Sequence, residues 1–242
     1  MTASKPRFKR ILLKLSGEAL MGDNSFGIDP KVLKTVAGEI HNLRKSGVKI
    51  AIVIGGGNIF RGLNSSEYGM GRVPGDHMGM LATIINAIAL GEALNRLGSE
   101  TRIMSAIDMN KVAEPYIRGR AVRHLDRDRV VLVGAGTGNP FFSTDTAAAL
   151  RAMEVGAEVL LKATKVDGVF DMDPEKNPKL KPHKKLTYQE VLQKNLQVMD
   201  MTAVSLAMGQ GLPIIVFNLK RKNNIKRVVF GDNVGTLISG EV

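Results

Sequence analysis

Glycine follows three apolar segments of the sequence, at points where a buried strand would end. The glycine-bearing segments are KLSG (14–17), GGGNIFRG (55–62) and GAGTGNPFFSTD (134–145). Glycine lets backbone N–H groups approach an anion closely, and a helix that begins just after the loop adds its positive end. A single loop of this kind is equally well explained as a tight turn. Three such loops at one edge of a parallel sheet favour a polyphosphate site.

Charged side chains beside these loops could serve phosphoryl transfer. Lys14 interrupts the apolar run LLKLS, where an unpaired charge is costly, and Lys162 is placed similarly at the end of EVLLKA. Arg61, predicted to lie just inside a helix, is a third cation. Asp145 would orient the lysines and a Mg²⁺–nucleotide, since this chemistry depends on positioning and charge stabilisation. Two simpler roles stay open: Lys14 could reach water from a strand end, and Asp145 could only cap a helix.

Motifs of several other chemistries are absent from the sequence. It has no G-x-x-x-x-G-K-[ST] phosphate loop, no G-x-S-x-G and no cysteine, and its four histidines lack metal-ligand spacing. GAGTGN nearly matches G-x-G-x-x-G, but Asn139 stands at the last glycine position, so a dinucleotide fold is only weakly indicated. Asp200 precedes TAVSLAMGQG and is interpreted either as a functional acid or as the cap of that helix.

The composition favours a cytoplasmic globular protein. A chain of 242 residues with 44% hydrophobic residues can bury one large core, and the lack of cysteine excludes disulfides. No apolar run approaches the ~20 residues that a membrane span needs. The net charge of +11 fits a phosphate-rich partner, whereas 5% aromatic residues without tryptophan argue against nucleic acid as the main partner.

Hydrophobic patterning predicts strands that alternate with helices. Strands are predicted over 10–15, 49–54, 101–107, 129–135, 158–163 and 212–218, with GTLIS (235–239) as an edge strand. Helices are predicted from Pro30 to Gly47 with Asp29 as N-cap, and over 76–97, 112–126, 143–156 and 202–211. Continuously apolar strands in this alternation indicate an α/β fold with a largely parallel sheet covered on both faces. The polar segment 167–187 is interpreted as a lid loop beside the site.

Six motifs occur in an order that points to one family. They are KLSGEAL, VIGGGNIFRG, GDHMGMLAT, GAGTGNPFFSTDTAA, LKATKVDGVFDMDP and VMDMTA. With them the sequence resembles the bacterial uridylate kinases of the amino-acid-kinase family, from about Lys9 to Ile238. KLSG and GGG alone would indicate only the wider family, which includes carbamate, acetylglutamate and aspartate kinases. GTGNPFF together with GDHMGMLAT is specific to the uridylate branch.

The resemblance implies a fold, a reaction and a set of site residues. The fold would be a single-domain αβα sandwich over 1–242, with an acceptor-side part over about 1–160 and an ATP-side part over about 161–242. Mg·ATP would phosphorylate UMP, giving UDP and ADP in pyrimidine nucleotide biosynthesis, with no metal ligand from the protein. The catalytic residues would be Lys14, Arg61, Asp145 and Lys162. ATP would contact Lys14, Ser16, Gly17, Gly57, Arg61, Thr164, Phe170 and Asp173. UMP would contact Gly56, Asp76, Thr137, Gly138, Asn139, Pro140, Phe141, Phe142, Ser143 and Thr144.

The resemblance also implies regulation and assembly. Members of the family are typically homohexamers that GTP activates and UTP inhibits. An arginine and a histidine that help to bind GTP in the family are replaced here by Gly91 and Asn95, although Arg102 and Arg129 keep the expected basic character. We therefore expect weak activation by GTP or none.

Two alternatives from other classes remain at this point. The first is a kinase of the same fold that phosphorylates a carboxylate or carbamate, against which GTGNPFF argues, since it would form the uracil side of the site. The second is a basic regulator that binds nucleic acid, for which the sequence has no helix-turn-helix spacing or zinc signature.

Overall fold

One nine-stranded sheet organises the chain. The computed structural model describes residues 5–61, 69–174, 176–177, 180–196 and 198–240. The strands are β1 (Arg10–Leu15), β2 (Lys49–Ile54), β3 (Thr101–Ser105), β4 (Glu114–Pro115), β5 (Val130–Gly134), β6 (Val159–Thr164), β7 (Lys185–Thr187), β8 (Ile214–Asn218) and β9 (Thr236–Ser239). Their order in the sheet is β4-β3-β5-β2-β1-β6-β8-β9-β7. The pairings from β4 to β8 are all parallel, so the carboxyl ends of these strands lie at one edge.

Seven α-helices in the described part of the chain cover both faces of the sheet. They are α1 (Pro30–Lys45), α2 (Arg72–Arg96), α3 (Arg118–Asp126), α4 (Thr144–Val155), α5 (Tyr188–Gln193), α6 (Met201–Gly209) and α7 (Asn224–Phe230). Side chains of α1, α2 and α7 pack with Ile11 and Leu13 of β1. Those of α3, α4, α5 and α6 pack with Leu12 on the opposite face. Successive side chains of a strand point to opposite faces of the sheet, so a continuously apolar strand must be covered on both faces. The two helical layers provide this cover, and the predicted αβα sandwich is confirmed.

Helix α1 begins as the sequence predicts. Asp29 caps it: its Oδ1 accepts hydrogen bonds from the N–H groups of Lys31 at 2.7 Å and Val32 at 3.1 Å. Pro30 occupies the first helical position, where its missing N–H costs nothing. The helix ends at Lys45, and Gly47 follows it with a φ of +84°. The cap, the proline and the glycine together define this element.

Three predicted elements differ from the structure. The helix expected over 112–126 begins only at Arg118, because Glu114 and Pro115 first pair with β3. Helix α2 begins four residues before the predicted start, at Arg72, with Pro74 in its first turn. GTLIS forms a strand but not the edge: β9 pairs with β8 in antiparallel orientation and β7 lies outside it. Strand β7, at the end of the predicted lid loop, has only three residues and no apolar run to reveal it.

Helix α2 is long and apolar enough to cross a membrane by length and composition alone, a property that the apolar runs of the sequence did not predict. Half of its apolar window is buried inside the fold. Its buried side chains include Ile84, Ala87, Leu90 and Leu94, and the last three pack against the sheet with α1. The features of this helix are those of a core helix, so its composition is weak evidence for a membrane span.

Candidate active site

Two lysines of neighbouring strands share one carboxylate at the carboxyl edge of the sheet. Lys14 of β1 and Lys162 of β6 are register partners, so their side chains leave the same face next to each other. Asp145, in the first turn of α4, pairs with both: its Oδ1 forms an ion pair with the Nζ of Lys14 at 2.6 Å, and its Oδ2 accepts a hydrogen bond from the Nζ of Lys162 at 2.7 Å. All three side chains are at most 14% exposed. Lys14 is therefore paired rather than extended into water.

The electrostatics of this lysine–aspartate–lysine centre follow from its charge count and its burial. Two ammonium groups face one carboxylate, so the centre carries one net positive charge. Burial works against ionisation of Asp145, but the charges of Lys14 and Lys162 outweigh it and hold the pKa of Asp145 below its usual value. Burial, assisted by the charge on Lys14, lowers the pKa of Lys162 below the ordinary 10.5, although Asp145 opposes this. A centre of this kind is suited to receive an anion.

The start of α4 places Asp145 within reach of the lysines. Ser143, rather than Thr144, caps the helix: its Oγ accepts from the N–H groups of Asp145 at 2.9 Å and Thr146 at 3.1 Å. Asp145 is thus not the capping residue, and its carboxylate is available for the lysines. The positive end of a twelve-residue helix points toward the same region.

Asp200 joins the starts of α4 and α6. It is the N-cap of α6, where its Oδ1 accepts from the N–H of Ala203 at 2.8 Å. The same oxygen accepts from the hydroxyl of Thr146 at 2.8 Å, and Oδ2 accepts from the hydroxyl of Ser143. Of the two interpretations of Asp200, the structure shows the cap, and it adds a tie between two helix starts that the sequence did not reveal.

The first cleft lies between the loops after β2 and β5, and we call it the glycine-loop cleft. It has a volume of about 560 Å³. Ten of the predicted site residues line it: Gly56, Gly57, Arg61, Asp76, Thr137, Asn139, Phe141, Phe142, Ser143 and Thr144. Two further predicted acceptor residues, Gly138 and Pro140, belong to the same loop but are not among the lining residues. Arg72, Met80, Thr83 and Thr202 also line the cleft and were not predicted.

Asp76 connects α2 to the loop after β5. The Nε of Arg72 lies 2.8 Å from each carboxylate oxygen of Asp76, and the backbone N–H of Phe141 donates to Oδ2 at 2.7 Å. Phe141 has a φ of +71°, and its ring lies 5.9 Å from the guanidinium carbon of Arg72. The rings of Phe141 and Phe142 are more than half exposed at the cleft. These contacts bring the predicted acceptor residues of two distant segments together.

A second cleft, of about 620 Å³, lies beyond the end of β6, and we call it the 164–174 cleft. Its lining includes Thr164, Phe170 and Asp173, three of the residues predicted on the ATP side, together with Lys162. The Nζ of Lys162 also donates to the carbonyl of Val198, another residue of this cleft. The lysine–aspartate–lysine centre therefore borders the 164–174 cleft through Lys162. The predicted lid segment supplies much of the cleft wall.

The sequence suggested that a helix follows each of the three glycine loops, and the structure differs from this prediction. Within the described residues, the third loop leads into an α-helix, α4, whereas the first is followed by a single 3₁₀ turn, Gly17–Leu20. After Gly55–Gly57 the described chain makes one turn, closed by hydrogen bonds to the carbonyl of Gly56, and Arg61 lies outside any helix. Arg61 instead forms an ion pair with Glu18, so it links the first two loops. Gly62, at the end of GGGNIFRG, lies outside the described residues.

Most of the clustered glycines are required by the packing of the protein itself. A Cβ on Gly56 would lie 2.8 Å from both the Cβ of Ala82 and the carbonyl oxygen of Gly79 on α2. A Cβ on Gly17 would lie 2.6 Å from the carbonyl oxygen of Gly55. At Gly57 the nearest atoms are those of Arg61, at 3.6 and 3.7 Å. Gly57 differs from Gly17 and Gly56, because a Cβ there would meet only side-chain atoms of Arg61 at ordinary contact distances, so the packing of the protein does not itself require glycine at this position.

A buried amide pair supports the loops and was missed in the sequence. Asn58 and Asn86, at most 2% exposed, donate to each other at 3.0 and 2.7 Å. Their remaining N–H groups donate to the carbonyls of Gly27 at 2.9 Å and Gly55 at 2.8 Å. All four amide N–H groups are satisfied, as buried polar groups require. No local signal separates these asparagines from others in the sequence, because their importance depends on contacts between distant segments.

The sequence and the fold of this chain match those of known proteins. A model of the amino acid kinase family matches residues 9–218. The crystal structure of a UMP kinase from Bacillus anthracis is 43% identical, with 97% of each chain covered and a TM-score of 0.94. A UMP kinase from Ureaplasma parvum is 37% identical over 96% of this chain and 99% of that one, with a TM-score of 0.90. A uridylate kinase from Archaeoglobus fulgidus is 27% identical over 95% and 99%, with a TM-score of 0.74. Because the family model matches most of the sequence and the fold matches the solved UMP kinases, the chain belongs to the amino acid kinase family.

Proposed function

We propose that this chain is a UMP kinase that transfers the γ-phosphoryl group of Mg·ATP to UMP, giving UDP and ADP. The observation that carries the proposal is the buried lysine–aspartate–lysine centre, which has one unneutralised positive charge at the carboxyl edge of the sheet. Similarity to UMP kinases of Bacillus anthracis and Ureaplasma parvum supports the choice of UMP as acceptor. This activity would place the protein in pyrimidine nucleotide biosynthesis in the cytoplasm.

The chemistry needs charge stabilisation more than proton transfer. A phosphate oxygen of UMP, already an anion, forms the new bond to the γ-phosphorus, while the bond from that phosphorus to the β–γ bridging oxygen breaks. No protein base has to take up a proton. Lys14 and Lys162 stabilise the negative charge that develops on the transferred group, and Asp145 holds both ammonium groups in place. Arg61 adds a half-exposed positive charge from the second glycine loop.

The two clefts divide the ligands between them in this proposal. ATP occupies the 164–174 cleft with its base near Thr164, Phe170 and Asp173. Its phosphates extend to Lys14 and the first two glycine loops, where Ser16, Gly17, Gly57 and Arg61 contact them. UMP occupies the glycine-loop cleft. The division corresponds to an acceptor-side part over about 1–160 and an ATP-side part over about 161–242, although Asp200 and Thr202 also reach the acceptor cleft.

UMP would be held mainly by the loop after β5. Asp76 keeps free lone pairs on a carboxylate that already accepts from Arg72 and Phe141, so it can still accept from the ribose hydroxyls. Gly56 and the loop residues Thr137, Gly138, Asn139, Pro140, Phe141, Phe142, Ser143 and Thr144 surround the rest of the nucleotide. Because UTP shares the uracil and ribose of UMP, we propose that it inhibits by competing for this cleft.

Mg²⁺ fits the site as an ion carried by the nucleotide. Within the described residues, no group of three or more histidine or acidic side chains could hold a metal ion, and both oxygens of Asp145 face lysines. The phosphate oxygens of ATP and water are ligands that Mg²⁺ accepts readily. When bound there, the ion would neutralise charge on the β- and γ-phosphates.

A direct test measures which acceptor receives phosphate. Purified protein is incubated with Mg·ATP and either UMP, acetylglutamate, aspartate or carbamate, and the phosphorylated product is identified by ³¹P NMR. We expect UDP from UMP and no product from the other three. Product from a carboxylate or carbamate, with none from UMP, would instead identify a kinase of another branch of the family.

We also propose self-association, toward the homohexamer typical of the resembled family, through an apolar stripe on α2. Met78, Leu81, Ile85 and Ile88 lie at helical spacing on one face and are 39–48% exposed. An exposed apolar stripe on a core helix is typical of a surface that a second subunit covers. We propose that a second copy of this chain covers the stripe, as a homohexamer requires contacts between identical subunits.

A further inference from the structure

The loop between β5 and α4, residues 135–143, carries most of the predicted UMP contacts, and we call it the acceptor loop. A buried hydroxyl of Thr83 on α2 holds its start. The side chain is 2% exposed, and its Oγ1 accepts from the backbone N–H of Ala135 at 2.7 Å. The same hydroxyl donates to the carbonyl of Met80 at 2.6 Å, which orients its lone pairs toward the loop. Both hydrogen-bonding functions of this hydroxyl are therefore used inside the protein, at the wall of the glycine-loop cleft.

Ala135, which donates this hydrogen bond, has an unfavourable backbone conformation. Ala135 has a φ of +61° and is followed by Gly136 with a φ of +59°. A left-handed conformation is costly for alanine, and it persists only where surrounding contacts impose it. The methyl group of Ala135 is fully buried in a small cluster with Met80 and Ile84, which explains why glycine does not stand here. The packing of this methyl and the bond to Thr83 together impose the turn.

The turn at Ala135 sets the course of the acceptor loop. Gly138 donates its N–H to the carbonyl of Ala135 at 2.9 Å, and the chain then continues to Phe141, whose N–H reaches Asp76. On the other side of the loop, buried Arg151 of α4 lies 3.4 Å from the carbonyl oxygen of Gly136. Contacts within the protein thus fix the loop from α2 and from α4.

We propose that Thr83 is a positioning residue for the acceptor: its hydroxyl holds Ala135 in the left-handed conformation that shapes the UMP side of the cleft. The identity of the acceptor as UMP rests on the proposed function. The anchoring of the loop by Thr83 does not depend on it. Thr83→Val keeps the shape of the side chain but leaves the buried N–H of Ala135 without an acceptor. Thr83→Ser keeps the hydroxyl.

The kinetic test separates the two substrates. For Thr83→Val we expect the KM for UMP to rise about tenfold or more, the size expected for one buried hydrogen bond, with the KM for ATP within about twofold. Thr83→Ser should stay close to the wild type. Thr101→Val is the matched control, since it removes another buried hydroxyl, bonded to Asn95 at 3.1 Å in β3, away from the cleft. It should leave both KM values unchanged.

A second readout does not depend on the acceptor. Hydrogen–deuterium exchange of peptides that contain the Ala135 amide should be faster in Thr83→Val than in the wild type, and unchanged in Thr83→Ser and Thr101→Val.

The outcomes distinguish this proposal from the proposed function. A wild type that phosphorylates no UMP would remove the proposed function, and the exchange experiment would still decide whether Thr83 anchors the loop. Thr83→Val with unchanged exchange would overturn the anchoring. Faster exchange with an unchanged KM for UMP, or an equal rise of the KM for both substrates, would overturn the positioning of the acceptor.

Discussion

At the scale of single residues, the lysine–aspartate–lysine centre holds two buried ammonium groups against one carboxylate at the carboxyl edge of the sheet. A lysine inside an apolar strand is visible without a structure, because a buried charge needs a partner. Lys14, Asp145 and Lys162 do come together, with each ammonium group within 2.7 Å of a carboxylate oxygen. The hydrogen bonds by which Thr83 and Asn86 support the loops were not predicted. A polar residue on a long helix looks the same whether it faces water or a distant loop.

The lowered pKa of Lys162 predicts a pH dependence. An ammonium group whose pKa is below 10.5 loses its proton at a lower pH than a free lysine, so its charge is lost as pH rises through the lowered value. We expect kcat/KM for ATP, which reports on the free enzyme, to fall on the alkaline side at a pH below 10.5. Lys162→Arg should lower the rate and move this alkaline limb to higher pH, because arginine stays charged. An unchanged limb in that variant would assign it to another group.

The glycines of the second loop predict a contrast between neighbours. Gly57→Val should abolish turnover with a melting temperature within about 2–4 °C of the wild type, since its Cβ meets only Arg61 atoms at ordinary contact distances. Gly56→Ala should destabilise the protein by about 1–3 kcal/mol, because its Cβ would overlap with α2. Thermal unfolding and turnover of both variants check this. Wild-type turnover in Gly57→Val would show that no ligand approaches that backbone.

At the scale of elements, prediction succeeded where a cap precedes apolar residues at helical spacing, or where a strand is a nearly continuous apolar run. Helix α1 is the first case, and β1 and β2 are the second, since only Lys14 and a basic first residue interrupt them. Prediction failed where pairing with a distant strand decides the conformation, as at Glu114–Pro115 and in the short lysine-bearing strand β7. The sequence predicted the position of the acceptor loop but not its shape. The left-handed turn at Ala135 depends on contacts with α2, which the sequence does not reveal.

The surface between α2 and β3 predicts little response to GTP. A Cβ on Gly91 would lie 3.1 Å from the Cδ1 of Ile103, so a side chain at this position would require Ile103 to shift. The side-chain oxygen of Asn95 is held by the N–H and hydroxyl of Thr101. Arg102 and Arg129 both pair with Glu100.

The expected result is a turnover rate that changes less than about twofold with GTP at fixed Mg·ATP and UMP. The measurement is a GTP titration of initial rates, with the nucleotide purity checked so that GTP is not consumed as a donor. A several-fold rise would show that this surface, or another one, still couples GTP to the site.

At the scale of the whole molecule, the apolar stripe on α2 predicts assembly. Leu81→Glu with Ile85→Glu places two charges at its centre and should shift the molar mass measured by light scattering toward smaller species. Met208→Glu is the matched control, because Met208 is 40% exposed on α6 outside the stripe. An unchanged mass in the double variant would place the subunit interface elsewhere.

The central claim is that the lysine–aspartate–lysine centre, which borders the 164–174 cleft, supports phosphoryl transfer from ATP to UMP. Its most direct test is coupled ADP release with Mg·ATP and either UMP or CMP, for the wild type and for Asp145→Asn. We predict turnover with UMP, little with CMP, and a loss of at least about 100-fold in the variant, in which the two lysines lose their shared carboxylate. Folded wild-type protein without turnover on UMP, or full activity in Asp145→Asn, would contradict the account.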